Sequence, residues 1–438
     1  MTHFLQDILR QPEELQRTIE ILTGRNEAGR GAVDAATAAI RTARHVYLTG
    51  IGSSWHAALN VSVLFHRRAY PVYFADAAEL LTIATFPKDS AMILISRSGK
   101  STEIVQLAAK ARRAGVNVIG ITNAPEGTLA KEAHIAIVVP VAFDHAISVN
   151  TYTTLALAAG MLAHRVIQEG NGSVEEPPSG EAGTREPPLP LSEAHNKEKR
   201  QQAAALQMAS SEYRGGLQSP PEACEAQRER QGRPPGDGEL AESLSRTIAE
   251  AGRAIPRWQE QVAASIWLAP HSTTYFLARG PSLGSAYESR LIWEEGVKTP
   301  ATAMGTGAFR HGPQEIVGEG VRFGVWIDGA LMREPDLAVA RDLRKLGARV
   351  MLIGQKLPDD AGDLVFQLPA IPAEWQFLID IIPAQLAAER LARLSGVDCD
   401  SFRLSSYIVE DQSGLLPQEA GKNEQERSQR TRKRGPRV

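Results

Sequence analysis

The sequence predicts an α/β protein of two tandem units, each a five-stranded parallel sheet between layers of helices. Three observations carry this. Short apolar runs rich in β-branched or aromatic residues alternate with helix-length amphipathic stretches. That rhythm occurs twice along the chain. Between the two occurrences, composition turns abruptly to Pro, Gly and charge.

In the first unit the strand candidates are His45–Thr49, Pro71–Phe74, Met92–Ser96, Val116–Ile121 and Ile135–Pro140. Between them lie helical stretches such as Thr102–Arg113, where Ile104, Leu107, Ala108 and Ala111 share one face. Strands alternating with helices predict a parallel sheet covered on both sides, and five strands fit a doubly wound, flavodoxin-like order. In the second unit the strand candidates are Thr274–Arg279, Lys298–Ala303, Val321–Ile327, Arg349–Ile353 and Leu364–Leu368. Helices are expected near Leu283–Glu295, Pro335–Leu346 and Ala373–Leu394. Ahead of this unit, Leu240–Leu268 reads as one or two helices, with a break expected at Pro256. Two similar units in tandem suggest an internal duplication.

The organisation predicted is an N-terminal helix (1–29), a first unit (30–168), an insertion (169–240), a second unit with its preceding helices (241–412) and a basic tail (413–438). From Gly170 to Glu239 there are nine Pro and nine Gly but only five residues drawn from Leu, Ile, Val and Phe. Such a segment buries too little apolar surface to offset its ordering entropy, so a mostly disordered insertion is expected, with a transient helix near Lys199–Ala209. The tail, with Arg427, Arg430, Arg432, Lys433 and Arg434, reads as solvated.

Over 438 residues the formal net charge is −3, so no basic field is available to hold nucleic acid. No apolar run approaches the length of a membrane span, and Met1–Arg10 lacks a signal core. Cys224 and Cys399 form no metal or redox spacing. A cytoplasmic protein without metal or cofactor is expected.

Two loops at the carboxyl edge of the first sheet are unusual. Gly50-Ile51-Gly52-Ser53-Ser54 and Ser96-Arg97-Ser98-Gly99-Lys100-Ser101-Thr102 each join a strand directly to a helix. Glycines admit close approach, hydroxyls donate, and helix N-termini offer free N–H groups, which together make a phosphate cradle. Routine helix capping by Ser54 and Ser101 is the alternative. Gly99-Lys100-Ser101 is not a P-loop, because the required upstream glycine falls at Leu94. Gly50-Ile51-Gly52 lacks the third glycine of a dinucleotide fingerprint.

The second unit has Asp328-Gly329-Ala330 after its third strand instead of a serine loop. Its polar content lies in Glu288, Glu294 and Glu295 on one helix, then Arg310-His311-Gly312-Pro313. Glu288 and Glu295 are seven residues apart, two turns on one helix face. A carboxylate and an imidazole suit proton shuttling on a sugar carbon and its ring oxygen. Taken singly, Glu295 reads as a surface residue and His311 as a helix-start or packing residue.

These motifs, with Ala78-Glu79-Leu80, Ser148, Ile382-Pro383-Ala384-Gln385-Leu386 and Gly396-Val397-Asp398, resemble the sugar isomerase (SIS) domain family. The resemblance covers about residues 30–168 and 241–412. It points to the tandem members, which include the isomerase half of glucosamine-6-phosphate synthase and related amino-sugar-phosphate deaminases. The resemblance implies phosphate and sugar binding by Gly52, Ser53, Ser54, Ser96, Arg97, Ser98, Ser101 and Ser148. It implies proton transfer by Glu295 and ring opening by His311, with Glu288 as an additional candidate. Because that histidine reaches the neighbouring subunit's site in relatives, it also implies a homodimer. Two lysines of the synthase are replaced: Ile292 stands at one position, and Leu404-Ser405-Ser406-Tyr407 at the other, with Ser406 nearest to the lysine's place. The usual Ser-Thr-Lys after the fifth strand is altered to Ser148-Val149-Asn150.

The sequence therefore predicts aldose–ketose isomerisation or deamination of a hexose phosphate or amino-sugar phosphate. Met1-Thr2-His3 offers no N-terminal cysteine, so no glutaminase activity is expected. Too few residues precede the first unit for a DNA-binding helix-turn-helix. The alternative is a sugar-phosphate sensor without catalysis.

Overall fold

The central apolar runs become strands because they can be buried on both faces. The structure, a computed structural model, describes residues 1–24, 27–169, 235–404 and 407–410. The first sheet contains β1 (His45–Thr49), β2 (Tyr73–Phe74), β3 (Ser90–Ser96), β4 (Asn117–Thr122) and β5 (Ile135–Val138), in the order β2-β1-β3-β4-β5. The second contains β6 (Thr273–Ala278), β7 (Ala301–Gly305), β8 (Val321–Trp326), β9 (Arg349–Gly354) and β10 (Leu364–Gln367), in the order β7-β6-β8-β9-β10. Every strand pair is parallel, and the two sheets share one doubly wound order. Central β3 is buried at all seven positions, as a sheet covered on both faces requires.

The helices are α1 (His3–Thr23), α2 (Glu27–Thr42), α3 (Ser53–Arg67), α4 (Ala77–Ile83), α5 (Thr102–Arg113), α6 (Thr128–Glu132) and α7 (Asn150–Glu169). After residue 235 follow α8 (Asp237–Ala264), α9 (Leu283–Ile292), α10 (Arg333–Lys345) and α11 (Ile382–Leu394). One hydrophobic cluster takes in Ile93 and Ile95 of the first sheet, Trp326 and Ile353 of the second, and the apolar faces of α3, α7, α9 and α11. The chain's two halves therefore share a core.

Three expectations shift. Helix α8 runs unbroken through Pro256. Its stripe of Leu244, Ile248, Ala251, Ile255, Trp258 and Val262 is buried, and Gly252, the residue facing the proline ring one turn back, lies against Pro12 of α1. Burial of the five large side chains among these, each worth about 1.5–3 kcal/mol, outweighs the roughly 3 kcal/mol proline penalty. Strand β7 starts at Ala301 rather than Lys298, because Lys298 adopts φ +56 and ends the preceding helix. The stretch from Ala373 to Leu394 divides at Ile379–Ile381 into a 3-10 segment and α11. Residues 170–234 and 411–438, and with them most of the insertion expected over 169–240, its transient helix and the basic tail, lie outside the described residues, while Asp237–Leu240 already belong to α8.

Helix α1 is fastened at its N-terminus. Asp400 accepts from the amides of His3 and Phe4 at 2.8 Å each, and Thr2 donates to Glu389 at 3.0 Å. Phe4, Ile8, Leu15, Ile19 and Leu22 form its buried stripe.

Arg165 near the end of α7 pairs with Asp237 at the start of α8, so the flanks of 170–234 meet. Replacing residues 171–234 by a short Gly/Ser linker should therefore leave the thermal midpoint within a few degrees, since loop length enters closure entropy only logarithmically. A truncated protein that melts far lower or aggregates would show that the removed segment supports the fold.

Candidate active site

Gly52 opens α3 with φ +56 and ψ −132, a backbone state suited to glycine alone. Gly50 is equally constrained: a Cβ there would sit 2.7 Å from the backbone of Ser54. The second loop turns at Gly99, φ +61. Ser96 Oγ accepts from the Gly99 amide at 3.1 Å, and Ser98 Oγ from the Lys100 amide at 3.2 Å, which shapes the turn. The N-cap of α3 is Gly52 rather than Ser54, and Ser101 at the N-cap of α5 makes no side-chain capping bond, so routine capping explains neither hydroxyl.

The two loops and the N-termini of α3 and α5 bound one cavity of about 280 Å³. Gly52, Ser53, Ser54, Ser96, Arg97, Ser98, Ser101 and Ser148 all line it, and so does Glu295 from the other half of the chain. Ser148 is brought there by the loop before α7. Asp144 accepts from the amides of Val149, Asn150 and Thr151, while Asp7 of α1 accepts from the His145 amide at 2.8 Å. Arg97 then donates to Ser148 Oγ at 3.0 Å.

Glu295 does not sit in regular α-helix. It lies in a π-helical turn, Trp293–Val297, that continues α9; such turns recur at functional sites. Lys298 fixes the end of that turn, with Nζ donating to the Glu295 carbonyl and, at 2.8 Å, to the Ser401 carbonyl. Burial, and after it the nearby charge of Glu288, pushes the Glu295 carboxyl up to about 7 against the opposing pull of Arg97 and Lys298. Such a group both accepts and returns a proton near neutral pH.

The spacing argument for Glu288 and Glu295 holds only in part. Glu288 is buried and lies outside the cavity wall, where its carboxylate accepts from Ser53 Oγ at 2.8 Å and lies 2.7 Å from His56 Nδ1. His311 is not brought to this cavity. It stands on an exposed turn beyond the helical turn Thr306–Phe309 that follows β7. Ile292, in the place of a family lysine, is fully buried in the core, and no lysine lines the cavity among the described residues.

Sequence reasoning missed His56, Lys298 and the segment bearing Phe402, Tyr407, Ile408 and Val409, which closes one side of the cavity. Arg97 Nη2 donates to the Tyr407 carbonyl at 2.6 Å, and the Thr102 amide donates to the Val409 carbonyl at 3.0 Å. No local pattern announces these pairings, since they join residues some 300 positions apart.

The corresponding edge of the second sheet is closed. Asp328 accepts from the amides of Ala330, Leu331 and Met332 at 3.2, 3.0 and 2.9 Å. A carboxylate of the chain thus occupies the loop where the first unit leaves hydroxyls free.

Residues 39–165 match the SIS domain model. That stretch, the first of the two units, is an SIS domain. The curated glutamine–fructose-6-phosphate aminotransferase (isomerizing) of Symbiobacterium thermophilum is 26% identical over 418 residues, 92% of this chain and 58% of that protein. Its namesake from Pyrobaculum aerophilum is 23% identical over 406 residues, 92% of this chain and 56% of that protein. The chain therefore spans little more than half the length of these relatives. Among solved structures, the C-terminal domain of glucosamine-fructose-6-phosphate aminotransferase from Francisella tularensis superposes with a TM-score of 0.68 at 17% identity, covering 92% of this chain and 98% of that one. Glucosamine-6-phosphate deaminase from Thermotoga maritima gives 0.64 at 20% identity, covering 93% and 99%. Both likenesses show the fold, two α/β units in tandem. No helix among the described residues is long and apolar enough to cross a membrane.

The raised Glu295 carboxyl has a sign-defined effect on stability. Between about 4.5 and about 7 the folded state holds a proton that the unfolded state has released, so stability falls as pH rises through that window. Glu295→Gln removes this dependence. Relative to wild type, the variant should gain up to about 3 kcal/mol from pH 4.5 to 7 in urea unfolding. A constant difference across that range would mean that the carboxyl titrates normally.

Proposed function

We propose that this SIS protein binds a hexose phosphate or amino-sugar phosphate in the cavity and catalyses aldose–ketose isomerisation or isomerising deamination. The observation that carries the reading is the convergence of eight phosphate-type residues from one unit with Glu295 from the other on one cavity. The names of the relatives, which concern fructose 6-phosphate and glucosamine 6-phosphate, support the substrate class.

In this reading the phosphate takes the hydroxyls of Ser54, Ser98 and Ser101 and the amides at the start of α3. The Arg97 guanidinium adds charge at the rim. The Glu295 carboxylate removes the proton from C2 of the open-chain aldose as the C1 carbonyl oxygen gains one, which gives an enediol. The same proton returns to C1, and the C2 hydroxyl loses its own to become the ketone. With an amino group at C2 the intermediate is an enolamine. Protonation at C1 then gives a C2 imine, which water hydrolyses to ketone and ammonia. The resemblance to the SIS family assigns ring opening to His311. Its exposed position suits delivery into the cavity of a second copy, which makes a homodimer part of the proposal. Burial of Ile292 in place of an amine favours a second reading, a sugar-phosphate sensor without turnover.

Glucosamine 6-phosphate incubated with the protein should yield ammonia and fructose 6-phosphate; a panel of hexose and amino-hexose phosphates that raises the melting temperature with no turnover would establish the sensor instead. Ser98→Ala should weaken sugar-phosphate binding by about 1–3 kcal/mol. Glu295→Gln should spare binding and cut turnover roughly 10²–10⁴-fold. Equal loss of binding in both variants would reduce Glu295 to a structural role.

A further inference from the structure

A second cavity opens at the amino-terminal edge of the second sheet and shares no residue with the one described above. Its volume is about 660 Å³, against about 280 Å³ for the first. Helix α10 ends at Lys345, and Gly347, at φ +92, turns the chain into β9. This reversal gathers Arg341, Arg344 and Lys345 of α10 and Arg349 of β9 around one opening, all four of them exposed. Two carboxylates, Asp360 and Asp363, come from the loop before β10. Cations thus outnumber carboxylates four to two, in a chain whose formal net charge is −3.

Basic residues often close a helix C-terminus, where they oppose its dipole. That accounts for Arg344 and Lys345 in the last turn, but not for Arg341 before it or Arg349 beyond the helix. Nor are the last carbonyls of α10 short of donors. The amides of Leu346, Gly347 and Ala348 donate to the carbonyls of Asp342, Arg344 and Leu343 at 3.0, 3.0 and 3.1 Å. Two guanidiniums are held in place by the fold. Arg344 Nη1 donates to the Asp360 carbonyl at 2.5 Å while its Nε lies 3.6 Å from Asp363, and Arg349 Nη1 donates to the Ile266 carbonyl. Asp363 is already committed, since it also accepts from the Val350 amide at 2.7 Å. Among the described residues no carboxylate pairs with Arg349, and the Arg341 guanidinium has no partner.

Four like charges around one opening repel one another unless an anion lies between them, and the planar arginine fork matches phosphate oxygens. We propose that this cavity binds a compound carrying two phosphoryl groups, with Arg341, Arg344 and Arg349 as its principal contacts. A single phosphate would meet only part of this cation set and leave most of the volume empty; small-molecule sites span about 300–1,000 Å³. Leu337 and Ala348, both nearly buried, add apolar surface that suits the carbon frame of an organic bisphosphate. Doubly wound sheets present ligands at their carboxyl edge, so a site at the amino edge is an addition to the usual one.

Calorimetric titration of the full chain with inorganic pyrophosphate, fructose 1,6-bisphosphate and orthophosphate tests this at about 0.1 M salt, where exposed charges are partly screened. Pyrophosphate or the bisphosphate should bind, and the tighter of the two identifies the free or the organic form. Orthophosphate should bind at least roughly tenfold more weakly, because it reaches fewer of the cations. Arg341→Gln removes an exposed cation without a partner, so folding is spared, and it should weaken the binding by about tenfold or more. Ser98→Ala, in the sugar-phosphate cradle, should leave that affinity within about twofold, as expected of an independent site. Affinity unchanged by Arg341→Gln, affinity lost instead in Ser98→Ala, orthophosphate bound as tightly as the diphosphates, or no binding by any of the three would each overturn the proposal. None of these readouts depends on turnover, so failure of this site and failure of the proposed reaction are read separately.

Discussion

The site depends on how closely α3 and α9 cross. Gly284 makes the crossing: a Cβ there would fall 2.2 Å from Asn60 Oδ1 and 2.3 Å from the His56 carbonyl. No other residue fits without prying the helices apart. At this separation Glu288 reaches both Ser53 and His56, and the π turn that follows carries Glu295 to the rim of a cavity made by the other unit. Widening the crossing by the width of a methyl group would bury Glu288 without donors, and a buried polar group left unsatisfied costs about 1–3 kcal/mol. Packing and chemistry are thus set by one contact.

The two units use one topology for different ends. In each, loops at the carboxyl edge lead into helix N-termini, where a doubly wound sheet presents ligands. The first unit leaves the hydroxyls of Ser54 and Ser101 uncommitted; the second spends the amides after β8 on Asp328. An anion site that contains its own carboxylate has no use for phosphate. The second unit instead contributes Glu295, whose proton affinity depends on burial and on the neighbouring Glu288. Division of labour follows from loop residues, with the sheet order unchanged.

Much of this architecture was legible in the sequence, because buried parallel strands leave continuous apolar runs and helices a periodic stripe. The serine loops were legible for a related reason: Gly50, Gly52 and Gly99 mark backbone states that other residues avoid, and the hydroxyls stand beside them. Helix α8 was misread as broken because Pro256 is a local signal, whereas the packing against α1 that overrides it is remote. The role of Glu288 was misjudged for the same reason. Heptad spacing placed it beside Glu295, yet its partners His56 and Ser53 lie more than 230 positions away. Lys298 and the Tyr407 carbonyl act through backbone groups, which leave no residue-type signature.

The central claim is that one sugar phosphate bridges the cradle of the first unit and the carboxyl of the second. A crystal structure of the full chain grown with glucosamine 6-phosphate tests it most directly. The account predicts phosphate within hydrogen-bond reach of Ser54, Ser98 and Ser101, with C1 and C2 of the sugar facing Glu295. Density for the sugar phosphate at the Asp328 edge, or a sugar turned away from Glu295 with its phosphate outside the serine loops, would contradict it.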